Sequence, residues 1–433
     1  MSVKSSLLTA GVLFFVGQSV FAQQTTSDST SVKNIEEVVI VGFGQKKTVQ
    51  ELTGATSRMS AKDIQDIPVA SVDKLLQGRV TGVQTGSASG QPGGFASVRV
   101  RGVASINGGT SPIYVVDGVR VASGDLTGNS TSANILASMN PDDIESVTVL
   151  KDAVSTAVYG ADAGAGVIVI TTKSGKKGRA RFNVNFSTGV SDRAVEGHKS
   201  LNSDQYKQLL VSGVTNRYSV SRPTVFGDDD MTLASLKAGA LSSGAAAVMN
   251  SSHDTDWRGA TQHSGGAYVN TVDASVTGGN EAISFYSSVN YFNQESIVKN
   301  SSFNRLSFTN KVDYKATDRL KIGTNLQMAY SKLSTLSNSG GFANPILGQY
   351  FLRPTDPVFN SDGSYYWGSN GRMSNGLFNN AALQDLNFSH AKTARVFGNV
   401  YADYEILDGL SYRFVFSPEY INIEEDEYLS PLH

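Results

Sequence analysis

The feature that most restricts the fold is a two-residue alternation of apolar and polar side chains in the second half of the chain. Phe182, Val184, Phe186, Thr188 and Val190 alternate with Arg181, Asn183, Asn185, Ser187 and Gly189. The period returns as Ile283, Phe285, Val289 and Tyr291 against Ser284, Ser288 and Asn290. It returns again as Leu306, Phe308, Val312 and Tyr314 against Ser307, Thr309, Lys311 and Asp313. Two more runs set Leu320, Ile322, Leu326, Met328 and Tyr330 against Lys321, Asn325 and Gln327, and Leu410, Tyr412, Phe414 and Phe416 against Ser411, Arg413 and Ser417. Successive side chains of a strand point to opposite faces, so each run reads as a strand with one apolar face.

The period alone fits a sandwich or a barrel, and length and ends decide between them. The runs are about nine to eleven residues long, beyond the usual globular strand of about five or six and suited to crossing a bilayer at a tilt. Tyr291, Tyr314, Tyr330 and Tyr404 stand near strand ends, where an aromatic girdle meets the membrane interface. Short turns, Ala316-Thr317-Asp318 and Leu407-Asp408-Gly409, alternate with long polar stretches at residues 191–266 and 333–392. Turns on one rim and loops on the other is the outer-membrane pattern. Residues 179–433 are therefore expected to form antiparallel transmembrane β-barrel strands. Phe285, Phe308, Ile322 and Phe414 should face lipid, and Asn290, Lys311 and Gln327 the lumen.

Composition agrees with a turn-rich all-β protein with little charged surface. The 43 glycines among 433 residues exceed the usual share of about 7%, and charged residues at 17% fall short of the usual quarter or so. A net charge of -2 offers no field for nucleic acid. The absence of cysteine excludes disulfides, thiol nucleophiles and thiolate metal sites.

At the N-terminus, Lys4 precedes an apolar stretch at residues 7–16 and then Val20-Phe21-Ala22. This reads as a signal peptide, residues 1–22, cut after Ala22. About ten apolar residues are half of what a membrane-spanning helix needs. Residues 23–35, rich in Gln, Thr, Ser and Asp, read as a disordered lead. The lead ends at Glu36-Glu37-Val38-Val39-Ile40-Val41, a β-prone run stopped by Gly42 and able to join a partner sheet as an added strand, or to be the first strand of the domain that follows. Residues 50–178 mix helical pieces around 61–67, 72–76 and 152–159 with strands at 80–84, 96–101, 113–119, 144–150 and 166–172, which makes a compact α+β domain.

Several phrases of that domain come in a telling order. They are Leu76-Gln77-Gly78-Arg79-Val80-Thr81-Gly82-Val83, then Val98-Arg99-Val100-Arg101-Gly102, then Pro112-Ile113-Tyr114-Val115-Val116-Asp117-Gly118. Asn140-Pro141-Asp142-Asp143-Ile144-Glu145 runs on to Leu150-Lys151-Asp152, followed by Tyr159-Gly160-Ala161 and by Gly166-Val167-Ile168-Val169-Ile170. Together they resemble the plug domain of TonB-dependent transporters of the SusC/RagA type. The resemblance implies an α+β plug domain inside an outer-membrane barrel of a Gram-negative cell. It also implies a TonB box at Glu36 to Val41, across the lead of residues 23–49, through which TonB supplies the energy of import. The expected plug residues are Arg99, Arg101, Gly102, Tyr114, Asp117, Gly118, Lys151, Asp152, Tyr159 and Gly160. A SusD-like surface lipoprotein is the implied partner, and a nutrient, oligosaccharide or peptide, the implied ligand.

Two departures from the family stand out. The small sandwich domain that many members carry ahead of the TonB box has no room in residues 23–35. Large plugged barrels use about 22 strands, whereas the five runs above are joined by only two more, at residues 267–277 and 396–404. The barrel is expected to be incomplete in this chain, the N-terminal portion of a longer protein.

Other chemistry is set aside. Gly160, Gly164 and Gly166 follow a helix and precede a strand, the reverse of a phosphate-cradling loop. Asp228-Asp229-Asp230 lacks a following ligand series. His198, His253, His263, His390 and His433 lack the spacing of a zinc site or a triad. No catalytic role, cofactor or metal is expected. The alternative to an importer is a secreted β-sandwich protein for binding or adhesion.

Overall fold

Which strands carry continuous apolar runs and which alternate divides the molecule into a plug and a wall. The computed structural model describes residues 38–432, apart from 42–44, 49–55, 65–66, 68, 88–89, 104–108, 129–132, 222–242, 337–343, 369–372 and 374–376. The expected leader and lead, Glu36, Glu37 and the three aspartates at 228–230 lie outside these residues. β1 (Val38–Val41) pairs antiparallel with β2 (Gln45–Thr48) as a separate hairpin.

The plug follows. β3 (Thr56–Ser60) precedes a hairpin of β4 (Val83–Ser87) and β5 (Ala96–Val100). β6 (Ile113–Val116), β7 (Val119–Val121), β8 (Ile144–Leu150) and β9 (Val167–Thr172) join β3 in a five-stranded sheet of order β3-β8-β9-β6-β7, parallel between β6 and β9 and otherwise antiparallel. β9 is apolar from Val167 to Ile170 because both its faces are covered there. Ile168 and Ile170 enter a core with Val72, Leu75, Leu136 and Val149, while Val167 and Val169 pack with Ile113, Val115 and Leu150 on the other side. The strand expected at 80–84 starts three residues later, at Val83. Gly78 and Gly82, with φ of 69° and 70°, turn the chain twice ahead of it, and Val80 is buried from within the turn.

The wall is one antiparallel sheet. Its strands are β10 (Gly178–Ser191), β11 (Ala267–Gly279), β12 (Ile283–Glu295), β13 (Ser302–Lys315), β14 (Leu320–Thr335), β15 (Phe388–Leu407), β16 (Leu410–Phe416) and β17 (Glu419–Tyr428), the first seven paired in chain order and β17 paired with β15. β16 and β17 share one edge of β15 in a continuous register, Val400 opposite Phe416 and Phe397 opposite Glu419. The break falls at Pro418, which lacks the N–H that a ladder needs. The sheet does not close among the described residues, and β10 and the β16–β17 edge are its ends.

Register fixes the faces. Phe308 lies opposite Val289 and Met328, and all three are exposed on the outer face. Phe414 joins that face through Ala402 and Ile322. Lys311 lies opposite Tyr286 and Asn325 on the inner face, buried against the plug. From Leu306 to Tyr314 on β13, eight steps of about 3.4 Å each at a tilt near 40° span about 21 Å, close to the roughly 25 Å apolar band of an outer-membrane barrel. No second sheet covers the outer face among the described residues, so the sandwich alternative has no counterpart in the fold. The two long stretches contain helices, which alternation could not reveal: Ser203–Ser221, Ser243–Asn250 and Trp257–Thr261 in the first, Pro345–Phe351 and Asn380–Leu386 in the second.

Candidate functional site

The Asp-Gly pair at 117–118 builds the sharpest feature of the plug. A two-residue hairpin between β6 and β7 needs left-handed backbone at both positions, and Asp117 (φ 48°) and Gly118 (φ 88°) supply it. The turn aims the Asp117 carboxylate at the wall. Lys311 Nζ stands 3.2 Å from its Oδ2, Asn325 Nδ2 donates to the same oxygen at 2.7 Å, and Thr172 N donates to Oδ1 at 3.0 Å. The side chains of Lys311 and Asp117 keep only 11% and 7% of their exposure, so the pair is shielded from water. Burying two charges is repaid only where further hydrogen bonds satisfy both, as they do here.

A second anchor is the segment around Asn140-Pro141-Asp142-Asp143, where Asn140 caps a 3-10 turn by accepting from Asp142 N. The fold of this turn leaves Asp143 facing three wall hydroxyls. Tyr286 and Ser288 donate to its Oδ1 at 2.9 and 2.6 Å, and Thr309 to its Oδ2 at 2.7 Å. Asn140 Nδ2 donates to Asp273 of β11 at 3.1 Å. Arg305, fully buried, reaches inward from β13 and donates to the carbonyls of Ala70, Ala137 and Met139 at 3.0, 2.9 and 2.8 Å, and to Asn290 Oδ1 at 3.0 Å. Arg395 of β15 donates to Ser138 Oγ at 3.0 Å and pairs with Glu419, whose other oxygen accepts from Ala122 N at 3.1 Å.

The remaining plug residues singled out from the sequence go elsewhere. Tyr114 is buried in the plug core, where burial, with the Asp73 charge adding to it, pushes its hydroxyl pKa far up. Arg99 and Arg101 are exposed at the end of β5, and Arg101 holds a left-handed φ of 58° before Gly102. Lys151 Nζ donates to Ser57 Oγ and to both Thr81 oxygens, tying β3 to the turn before β4. Partial burial and the nearby Arg101 guanidinium lower its pKa. Asp152 caps the short helix Ala153–Thr156 by accepting from Ser155 N at 2.8 Å. Tyr159 packs against the second plug core, burial pushing its hydroxyl up to about 12, and Gly160 turns the chain at φ 82°.

Of that set, Asp117 meets the wall. The wall side of the seam was half legible: Lys311 and Asn290 stood on the polar face of the alternation, but nothing local marked Arg305, Asp273 or Arg395 as plug contacts. The usable signal was a charge in the middle of a strand otherwise built for a bilayer, which must face inward and find a partner.

The arrangement of a mixed-sheet plug against a one-sided wall has known counterparts. Residues 48–167 match the TonB-dependent Receptor Plug Domain. Over 399 residues the chain is 32% identical to TonB-dependent receptor P26 of Formosa agariphila, covering 92% of this chain and 36% of that one. It is 29% identical to TonB-dependent receptor SusC of Bacteroides thetaiotaomicron, covering 82% and 33%. Among solved structures, the RagAB peptide importer in its open-open state superposes with a TM-score of 0.69 at 26% identity, covering 90% of this chain and 43% of that one. The chain thus spans about a third of the length of the curated relatives it matches. By plug, wall and kinship, it belongs to the SusC/RagA-type TonB-dependent receptors.

Proposed function

We propose that the protein serves in TonB-dependent import, across an outer membrane, of a nutrient too large for simple porins, an oligosaccharide or a peptide, together with a SusD-like surface lipoprotein. The observation that carries the reading is the seam. Toward the turn rim, a plug with an apolar core is joined to the wall through hydrogen bonds and a buried ion pair, contacts that can exchange for water when the plug shifts. In this reading residues 1–22 are the export signal, 23–49 the coupling lead, 50–178 the plug and 179–433 the first part of the barrel. Helix Pro345–Phe351 on the loop side exposes Leu347, Tyr350 and Phe351, an apolar face offered to the lipoprotein.

Coupling is assigned to Glu36 to Val41. Val38–Val41 is extended and paired with β2 alone among the described strands, so it has the backbone conformation that strand addition by TonB requires. Val39→Pro removes a ladder donor and should abolish uptake while ligand binding at the cell surface persists. Loss of binding together with uptake would place the run within the folded plug and refute the assignment.

A further inference from the structure

The inner wall changes character at one level. Toward the turn rim it is polar: Asp273, Asn290, Thr309, Lys311 and Asn325 face the plug. A cavity of about 330 Å³, lined by Asp117, Ser174, Lys311 and Asn325, runs along the seam there. From the level of Arg305, which lies opposite Phe292, toward the loop side the wall instead turns apolar. Val269, Phe292, Phe303, Leu333 and Ala391 come from five adjacent strands and pack with Ala70 and Ala137 of the plug in one buried cluster. The fit is close, since a Cβ on Gly93 would stand 2.2 Å from the Phe303 ring, so the plug backbone rests on that ring. Phe292 and Phe303 lie 6.2 Å apart, and the Arg305 guanidinium sits 5.3 Å from the Phe292 centroid. The collar therefore roofs the arginine that grips three plug carbonyls.

We propose that this collar is the permeability barrier along β11 to β15, the level at which the plug–wall seam there is closed to water and small solutes. The polar anchors nearer the turn rim hold the plug but do not seal it. Apolar side chains packed at van der Waals distance leave no polar path, whereas a seam of hydroxyls, amides and charges admits bridging water without loss. The roof also keeps the hydrogen bonds of Arg305 in low dielectric, where they are stronger. The proposal rests on the importer reading but concerns passive leakage, which is measured separately from uptake.

The test uses the full protein in outer membranes, with vancomycin susceptibility as the leak readout and ligand uptake as the activity readout. Phe303→Ala and Leu333→Ala should each lower the inhibitory concentration several-fold, and Phe303→Leu should restore the barrier by returning apolar volume. Ser288→Ala, which removes one bond to Asp143 at the polar level, should leave it unchanged. Protease resistance of the plug, equal in parent and variants, separates a leaking seam from a plug that has failed to fold; if Phe303→Ala does fail, Phe303→Gln against Phe303→Leu makes the same comparison. Equal leakage from Ser288→Ala and Phe303→Ala, or no leakage from a protease-resistant Phe292→Ala/Phe303→Ala protein, would overturn the proposal. Uptake absent from the parent as well would count against the importer reading and leave the leak comparison standing.

Discussion

Plug and wall solve opposite burial problems with the same residue types. In the plug, Val149, Ile168 and Ile170 are wholly buried, and most charged side chains stay at least partly exposed, Asp73 and Asp143 being exceptions. In the wall, Val289, Leu306, Phe308 and Met328 point outward with 36–53% of their surface exposed, while Lys311, Arg305 and Asp273 are turned inward. A plug strand is thus apolar because protein covers it, and a wall strand because lipid would. The comparison teaches that apolar content alone misreads both regions. What matters is which solvent each face meets, and the inner wall face meets a folded protein with polar groups of its own.

The comparison would break first at the buried ion pair. Lys311→Met leaves the Asp117 carboxylate buried without its cation and should cost about 3–5 kcal/mol of plug–wall stability, read as a fall in the melting temperature of the detergent-solubilised protein. Lys311→Met with Asp117→Asn should recover most of that loss, because the orphaned charge is gone. A double variant no more stable than the single one would mean that the pair is not shielded as the geometry implies.

The outward face gives the next largest effect. Ile322→Arg puts a charge at the depth of the lipid core and should cost about 2–4 kcal/mol if mid-membrane. On the inner face Thr309→Val removes one of three hydroxyls from Asp143 and should cost about 1 kcal/mol. A tolerated arginine at 322 would show that this face does not meet lipid.

How far the sequence could be read follows from the same opposition. Alternation exposed β12, β13 and β14 because both faces of those strands meet uniform surroundings along most of their length. β17 escaped notice because Asn422, Glu424 and Asp426 occupy its outer positions, so its apolar period fades. β3 is short, polar and buried only at Met59, so its pairing with β8 decides its conformation. The seam was the least legible part. Arg305 and its carbonyl partners at 70, 137 and 139 are brought together by the fold across more than 160 residues, and a backbone carbonyl leaves no mark in a sequence. Asp117 was marked only by the phrase that resembles the family's plug; the single strand read over 113–119 breaks there into β6 and β7 at the Asp-Gly turn, and its wall partner left no mark.

The smallest expected effect lies inside the plug and tests whether its core excludes water. Asp73 is fully buried at the start of the helix Val72–Leu75, its carboxylate accepting from Asn134 Nδ2 at 2.8 Å and from Ala96 N at 3.1 Å. Burial raises its pKa above the ordinary carboxylate value, against the lowering effect of those hydrogen bonds. A carboxyl whose folded pKa is raised binds its proton more tightly folded than unfolded. Its contribution therefore favours the folded state at pH below the ordinary value near 3.9 and is lost as the pH rises through the raised value. Acidic groups with lowered pKa, such as Asp63 held by Ser60, oppose this trend as pH falls, so the measurement is a difference. Stability of the parent relative to Asp73→Asn, followed by hydrogen exchange at the Ala96 amide, should increase as the pH is brought down from neutrality. A relative stability that is flat with pH would mean that water reaches Asp73, and the contrast between a dry plug core and a polar seam would then have to be drawn elsewhere.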